Sequence, residues 1–373
     1  MADFSNQELS AYHPNSQFLK KYLALIKYTF DVIAPQGKIN YIAELSGNHN
    51  GSLERAKSLV KAAADAGASS VKFQTYTADT MTLDIEKFKV SDNHELWGGR
   101  KLFDLYEEAH TPWEWHQELF DLAESLNVVP FSTPFDLTAL RFLENLNAKM
   151  YKIASLETGD HLLIQKTAET GKPILISTGA TEWEEIEDLV NVVLQTGNRN
   201  LILLLCTSSY PAKPQDANLN RMIKLREKFG VEVGLSDHTL GTGVSIAAIA
   251  LGAVAIEKHF TISRADGGVD SQFSLEPSEF ESLIIEGNAA RESLGSSDWN
   301  SQESEKESRS LRRSLYIVKD VERGEFVTLD NVRAIRPNGG MKPKYLNQIL
   351  GKQFKESYSM GTALADEMIS NLK

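Results

Sequence analysis

The chain has 373 residues, of which 42% are apolar and 24% charged, and its formal net charge is −12. That length suits one domain of about 250–300 residues with an appendage, and acidity spread along the chain argues against a nucleic-acid partner. The lone Cys206 excludes an internal disulfide, no run of about 18 apolar residues spans a membrane, and the opening MADFSNQELS lacks the pattern of a secretory signal; a soluble, cytoplasmic protein is expected.

Residues 1–36 read as an N-terminal extension. Within it Phe18–Phe30 has the spacing of an amphipathic helix closed by Pro35-Gln36-Gly37, and its expected role is a clip on the main domain. From Ile39 a rhythm sets in, with short apolar runs ending in polar residues before helical periodicity takes over. Eight such runs occur: Tyr41–Ser46, Ser70–Thr75, Val128–Thr133, Met150–Ser155, Pro173–Thr178, Leu201–Thr207, Val231–Asp237 and Ala255–Phe260. Helical segments are expected at Leu53–Ala66, Trp113–Leu126, Leu137–Leu146, Leu162–Thr170, Trp183–Gln195, Leu219–Phe229 and Val244–Leu251. Gly67, Gly171, Gly197, Gly230 and Gly252 stand where helix C-caps belong. Eight strand–helix units in about 250 residues describe an α/β fold of the TIM (β/α)8 barrel type, with its chemistry at the C-terminal strand ends. A doubly wound open sheet is the weaker alternative, since no Gly-rich nucleotide fingerprint follows the first strand.

Residues 76–112, between strands two and three, form a long interval with little periodicity early on. A loop of that length in a compact domain is expected to shape a substrate pocket. After Phe280–Leu294 the polar segment 295–310 reads as a linker. Residues 311–373 then form a small second domain with strands at Ser314–Val318 and Asn331–Ile335. The expected organisation is an extension over 1–36, a barrel over 37–294, a linker over 295–310 and a small domain over 311–373.

Parallel strands would bring their polar ends to one mouth. Two of those strands carry a lysine among apolar residues, Val71-Lys72-Phe73 and Tyr151-Lys152-Ile153. Buried ammonium groups need compensation. Together with the hydroxyl tips Ser132-Thr133, Ser177-Thr178 and Thr207-Ser208-Ser209 they suit a phosphate or carboxylate ligand; the bland alternative is pairing with Glu44 or Glu157. His238 and His259 close two strands one helix apart. With no third ligand at fixed spacing, they suit an open divalent site rather than closed zinc, with Mn²⁺ favoured and Mg²⁺ or Co²⁺ as alternatives. His49 is a decoy candidate that serves equally to shape the first loop. His110, His116, Trp113 and Trp115 are expected to be structural, and Cys206 a small buried residue.

The motifs IAELSGNHNGSLERAKSLVKAAADAGASSVKFQTY, FSTPFD, YKIASLE, ILISTGA, CTSSYP, GLSDHT and EKHFT together resemble the bacterial sialic acid synthases, which condense phosphoenolpyruvate with an N-acetylated amino sugar. They cover all eight strands, and RSLYIVKDVERGEFVTLDNVRAIRPNGG resembles the antifreeze-like (SAF) domain that follows the barrel in that family. Within the family, SGNHN, QTYTADTMTLD and LWGGRKLFDLYEEAHTPWEWH are most similar to the pseudaminic acid branch, which implies 2,4-diacetamido-2,4,6-trideoxy-L-altrose as the sugar. The resemblance implies that Lys72, Thr133, Lys152, Ser155, Ser177, Ser208 and Ser236 hold phosphoenolpyruvate; Ser208 stands where relatives often carry Asn. It also implies metal ligation by His238 and His259, and a carboxylate, Glu44, near the metal's water. Gln74, Glu157, Tyr210 and Asp270 would lie by the sugar, and Arg336 would come from the small domain of a partner subunit, so a domain-swapped homodimer is expected. Three alternatives stay open: an N-acetylneuraminate or legionaminate synthase, a different metal-dependent TIM-barrel aldolase or isomerase, and a non-catalytic carbohydrate-binding protein.

Overall fold

A computed structural model describes residues 38–93, 96–300 and 302–370, so the extension at 1–36, with its expected helix, lies outside the described residues. The chain divides into two compact units between Gly295 and Ser296. In the first, β1 (Asn40–Glu44), β2 (Ser70–Thr75), β3 (Val129–Pro134), β4 (Tyr151–Ile153), β5 (Ile174–Ser177), β6 (Leu201–Cys206), β7 (Glu232–Asp237) and β8 (Ala255–His259) run parallel in chain order. The sheet closes where β8 returns to β1, with Asn40 opposite Ala255 and Glu44 opposite His259. That closure is the TIM barrel and excludes the open sheet.

Two apolar shells hold the barrel. The outer one lies between strands and helices. In the helix Leu53–Asp65, for example, Ala56, Leu59, Val60 and Ala63 recur at helical spacing on the buried face, and the Ser52 side chain caps the start by accepting from the Arg55 N–H. The inner shell is a plug of Ile42, Phe131, Leu175 and Leu204 inside the barrel, each buried Leu or Phe contributing about 1.5–3 kcal/mol. Side chains alternate across a strand, so the next inward residue lies two positions on. From the plug upwards those residues are Glu44, Thr133, Ser177 and Cys206, all buried. The sequence therefore changes from apolar to polar along the inside of the barrel, towards its C-terminal mouth. Gly234 is required on β7, because a Cβ there would meet Ala255 O at 2.4 Å.

Three local expectations change. The fourth strand ends at Ile153, and Ser155–Glu157 is a 3-10 turn, because Ser155 leaves the sheet to accept the Gly179 N–H at 3.0 Å. The interval after β2 is not loop throughout: it holds short helices at Ala78–Met81 and Leu102–Ala109. Leu102, Leu105 and Ala109 carry an apolar spacing that was available in the sequence. The segment expected as linker holds a 3-10 turn at Glu303–Glu305 and a helical turn at Lys306–Ser310, with Lys306 reaching Glu303 at 3.2 Å.

The second unit pairs β9 (Ser314–Ile317) antiparallel with β10 (Val332–Ile335) around a small core that includes Leu315, Ile317, Val332, Phe354 and Leu364. No helix among the described residues is long and apolar enough to cross a membrane.

Candidate active site at the barrel mouth

Four charges interlock above the apolar plug. Lys72 Nζ lies 2.5 Å from Glu44 and 3.8 Å from Glu257, and Lys152 Nζ lies 3.2 Å from the same Glu257 oxygen. All four side chains are at most 5% exposed. Without a ligand the lysines thus pair with carboxylates, as the bland reading required, but the partner of Lys152 is Glu257 and not Glu157. Burial pushes the Glu257 carboxyl up, yet the two lysines outweigh it and hold the group below the usual range. Burial raises Glu44, with Lys72 only partly offsetting it, so Glu44 is the more basic of the two carboxylates. Lys152 is lowered by burial.

Hydroxyls ring this layer. Thr133 Oγ1 accepts from Lys72 at 3.2 Å, and Ser236 Oγ donates to Glu257 at 3.0 Å. Ser177 Oγ is buried without a partner, a state that costs about 1–3 kcal/mol unless something else fills it. Gly179 lets the β5 loop come close: a Cβ there would sit 2.4 Å from Ser208 Oγ and 2.9 Å from Ser155 Oγ. Lys72, Lys152, Thr133, Ser155, Ser177, Ser208 and Ser236 therefore gather at the mouth, which they supply with two ammonium groups and five hydroxyls.

His238 follows β7 and His259 ends β8, and their ring centres are 5.3 Å apart. His238 Nδ1 donates to Thr207 O at 3.0 Å, so in the neutral form of the ring Nε2 carries the lone pair. His259 is held far below the usual histidine range by burial and then by neighbouring His238 and Lys72, so it is neutral. Its Nδ1 is buried without a hydrogen bond and lies 3.6 Å from Asp270 Oδ2. Among the described residues no three His, Cys, Asp or Glu side chains converge on one ion position. An unpartnered imidazole nitrogen beside a second, oriented imidazole fits a divalent ion that takes the rest of its shell from water or substrate. Cys206 lies 3.9 Å from His238 Nδ1; burial raises its thiol, but His238 outweighs that and brings it down to about 7.

Beyond the histidines a cavity of about 300 Å³ is bordered by Ser46, Gln74, Glu157, Tyr210 and Asp270. Gln74 donates to Glu44 at 3.0 Å and to Ser46 at 3.2 Å, and Ser46 in turn donates to Asp270. Tyr210 packs on His238 with ring centres 4.4 Å apart. Burial pushes the Glu157 carboxyl up to about 7, against a smaller pull from Lys152. A raised folded-state pKa favours the fold below the unfolded value and is lost as pH rises through the folded one. Glu157→Gln is therefore expected to match wild-type stability near pH 4 and to gain on it between pH 4.5 and about 7. Melting temperatures across that range check this; parallel curves would contradict it.

The structure adds Glu257, which sequence reasoning missed, and turns its neighbour Lys258 away from the mouth. Counting back by two from His259 puts Glu257 inside and Lys258 outside, where Lys258 meets Asp237 at 3.3 Å. His49 accepts from the Gly51 N–H at 3.1 Å and packs edge-on to Trp115, so it shapes its loop. Its neighbour Asn48 donates to Phe260 O and Ser274 Oγ, both at 2.9 Å, bracing the segment that carries Asp270. His116 is buried against Thr75 at 2.8 Å. Arg336 lies in the second unit just after β10 and is exposed.

Residues 59–298 match the NeuB family and residues 312–370 the SAF domain. The chain is 40% identical over 329 residues to a pseudaminic acid synthase of Campylobacter jejuni, covering 88% of this chain and 96% of that protein. It is 42% identical over 330 residues to the pseudaminic acid synthase of Helicobacter pylori, covering 88% and 97%. Among solved structures, an N-acetylneuraminic acid synthetase of Leptospira borgpetersenii in complex with citrate superposes with a TM-score of 0.65 at 31% identity, over 72% of this chain and 90% of that one.

Proposed function

The chain belongs to the NeuB family, and from that premise we propose that it is a pseudaminic acid synthase. It condenses phosphoenolpyruvate with 2,4-diacetamido-2,4,6-trideoxy-L-altrose and water to give pseudaminic acid and phosphate. The relatives of about 40% identity support the choice of sugar. The observation that carries the reaction is two buried lysines and two oriented histidines at one barrel mouth.

Lys72 and Lys152, freed from their carboxylates by a more highly charged anion, hold the phosphate and carboxylate of phosphoenolpyruvate, with Thr133, Ser155, Ser177, Ser208 and Ser236 completing the seat. Holding both reactants makes the encounter effectively unimolecular. C3 of the enol attacks the open-chain aldehyde carbon of the sugar, forming the new C–C bond. A divalent ion on His238 and His259, Mn²⁺ by ligand preference with Mg²⁺ or Co²⁺ as alternatives, would supply Lewis-acid polarisation of that aldehyde. Glu44, with its raised pKa, positions water or takes its proton as the oxygen adds at C2. The tetrahedral intermediate then loses phosphate by C–O cleavage. Gln74, Glu157, Tyr210 and Asp270 orient the sugar.

Phosphate release from phosphoenolpyruvate with Mn²⁺ tests the reading against three acceptors: the trideoxy-altrose sugar, N-acetylmannosamine and its 2,4-diacetamido-6-deoxy analogue. Release with the altrose sugar alone is expected. Release only with a mannose-type sugar would move the chain to the N-acetylneuraminate or legionaminate branch. No release with any acceptor, and no effect of EDTA, would favour the aldolase, isomerase or binding-protein readings.

We also assign Arg336 to the sugar site of a second subunit in a domain-swapped homodimer. Its exposure at the end of β10 supports that reach, as does the family resemblance of its RPNGG loop. Arg336→Ala should raise KM for the sugar about tenfold or more, the scale of a lost charged contact, with KM for phosphoenolpyruvate little changed. Mixing Arg336→Ala with His238→Ala subunits should restore part of the activity; no recovery would remove the swap. The lone, buried Cys206 suits a cytoplasmic setting for this reaction.

A further inference from the structure

We propose that the segment from Met81 to Tyr106 builds a second, apolar subsite that selects sugars presenting methyl groups where other acceptors present hydroxyls. This rests on the synthase reading above and names what enforces its substrate choice. The cavity beyond the histidines has two chemically different ends. Ser46, Gln74, His259 and Asp270 make the polar end. Met81, Val90, Leu102, Leu105 and Phe135 line the other, and none of these five side chains carries a hydrogen-bonding oxygen or nitrogen. The volume, about 300 Å³, is at the small end for a ligand site and on the scale of a monosaccharide.

The apolar end does not come from the strand–helix repeat. Apart from Phe135, which follows β3, it is built by the interval between β2 and β3, and that interval is fixed in place. Lys89 and Lys101 form an antiparallel bridge, in which the Val90 N–H donates to Arg100 O and the Leu102 N–H to Phe88 O, both at 2.9 Å. Val90 and Leu102 thus face the cavity from a braced ribbon. Trp97 Nε1 donates to Val269 O at 3.0 Å, tying the ribbon to the loop that carries Asp270. Tyr76 packs edge-on to both Tyr106 and Phe135, with ring centres 5.8 and 5.1 Å away. A hydroxyl placed against Met81, Val90, Leu102, Leu105 or Phe135 loses its water and gains no partner from those five side chains, whereas a methyl group is stabilised by leaving water; the Tyr76 and Tyr106 rings border the same cavity. The wall therefore suits the C6 methyl of a 6-deoxy sugar or the methyl of an acetamido group, and disfavours a hydroxymethyl end.

The test measures kcat/KM for the trideoxy-altrose sugar and for its 6-hydroxy counterpart, in wild type, Val90→Thr, Leu102→Gln and the double variant. The deoxy-to-hydroxy ratio is expected to fall about tenfold or more in the double variant, the scale of one methyl in an apolar pocket, while KM for phosphoenolpyruvate stays unchanged. Phe135→Tyr, which adds a hydroxyl from outside the ribbon, should move the ratio the same way if the ribbon variants do not fold. Normal wild-type turnover of the deoxy sugar with an unmoved ratio in the variants, or a parallel fall for both sugars, would overturn this inference alone. Wild-type turnover confined to N-acetylmannosamine would overturn the pseudaminic reading and this inference together.

Discussion

Replacing His238 with alanine is expected to lower turnover on the order of a thousandfold while the barrel stays folded. The size follows from the several kcal/mol that Lewis-acid polarisation of a carbonyl supplies, at about 1.4 kcal/mol per tenfold. The fold should survive because His238 lies just beyond β7 and its ring meets Thr207 O and the Tyr210, His259 and Phe273 rings, none of them part of the apolar shells. Far-ultraviolet circular dichroism and melting temperature report the fold, and calorimetric titration with Mn²⁺ reports the ion. Loss of turnover together with weakened Mn²⁺ binding is the expected pair of results. Full turnover in excess Mn²⁺ would remove His238 from the site.

Glu257→Gln is expected to destabilise the ligand-free protein by about 3–5 kcal/mol, the usual cost of stripping the partner from a buried charge. One carboxylate oxygen serves Lys72, Lys152 and Ser236 at once. Without it, two ammonium groups share Glu44 alone. Deprotonation of Lys152, already lowered by burial, would trim the loss. The informative readout is recovery. If the lysines seat an anion, phosphate or phosphoenolpyruvate should restore more stability to Glu257→Gln than to wild type, because the variant has an unmatched positive charge waiting. A loss below about 1 kcal/mol, or equal stabilisation of both proteins by phosphate, would separate Glu257 from the anion seat.

The barrel was readable because parallel strands are buried on both faces and so announce themselves as apolar runs, here each ending in polar residues. Lys72 and Lys152 were readable for a related reason: a cation within such a run needs an explanation. Glu257 was hidden because it sits in a Glu-Lys-His triplet, where composition does not say which residue faces in. Only the alternation of β8, counted from His259, separates Glu257 from Lys258. The partner of Lys152 was misplaced for the same cause, since Glu157 is near in sequence while Glu257 is four strands away around the barrel. The helix Leu102–Ala109 was hidden by its brevity and its irregular neighbours, although its apolar spacing was present. His238 and His259 were picked out by position alone; what their rings face depends on Thr207 and Asp270, which no local pattern reveals.

The alternation of β8 also bears on which genetic changes the chain can absorb. A single-residue insertion or deletion early in that strand would exchange its two faces. Lys258 would then enter the mouth beside Lys72 and Lys152, a cluster of three cations, while Glu257 and His259 would turn towards the helices. Asp237 would lose its counter-ion in the same step. The ion pair on the outside of the barrel thus penalises a misthreaded strand from the face opposite the chemistry. Insertions that loops elsewhere tolerate are, in these five residues, simultaneously an error of assembly and an error of catalysis.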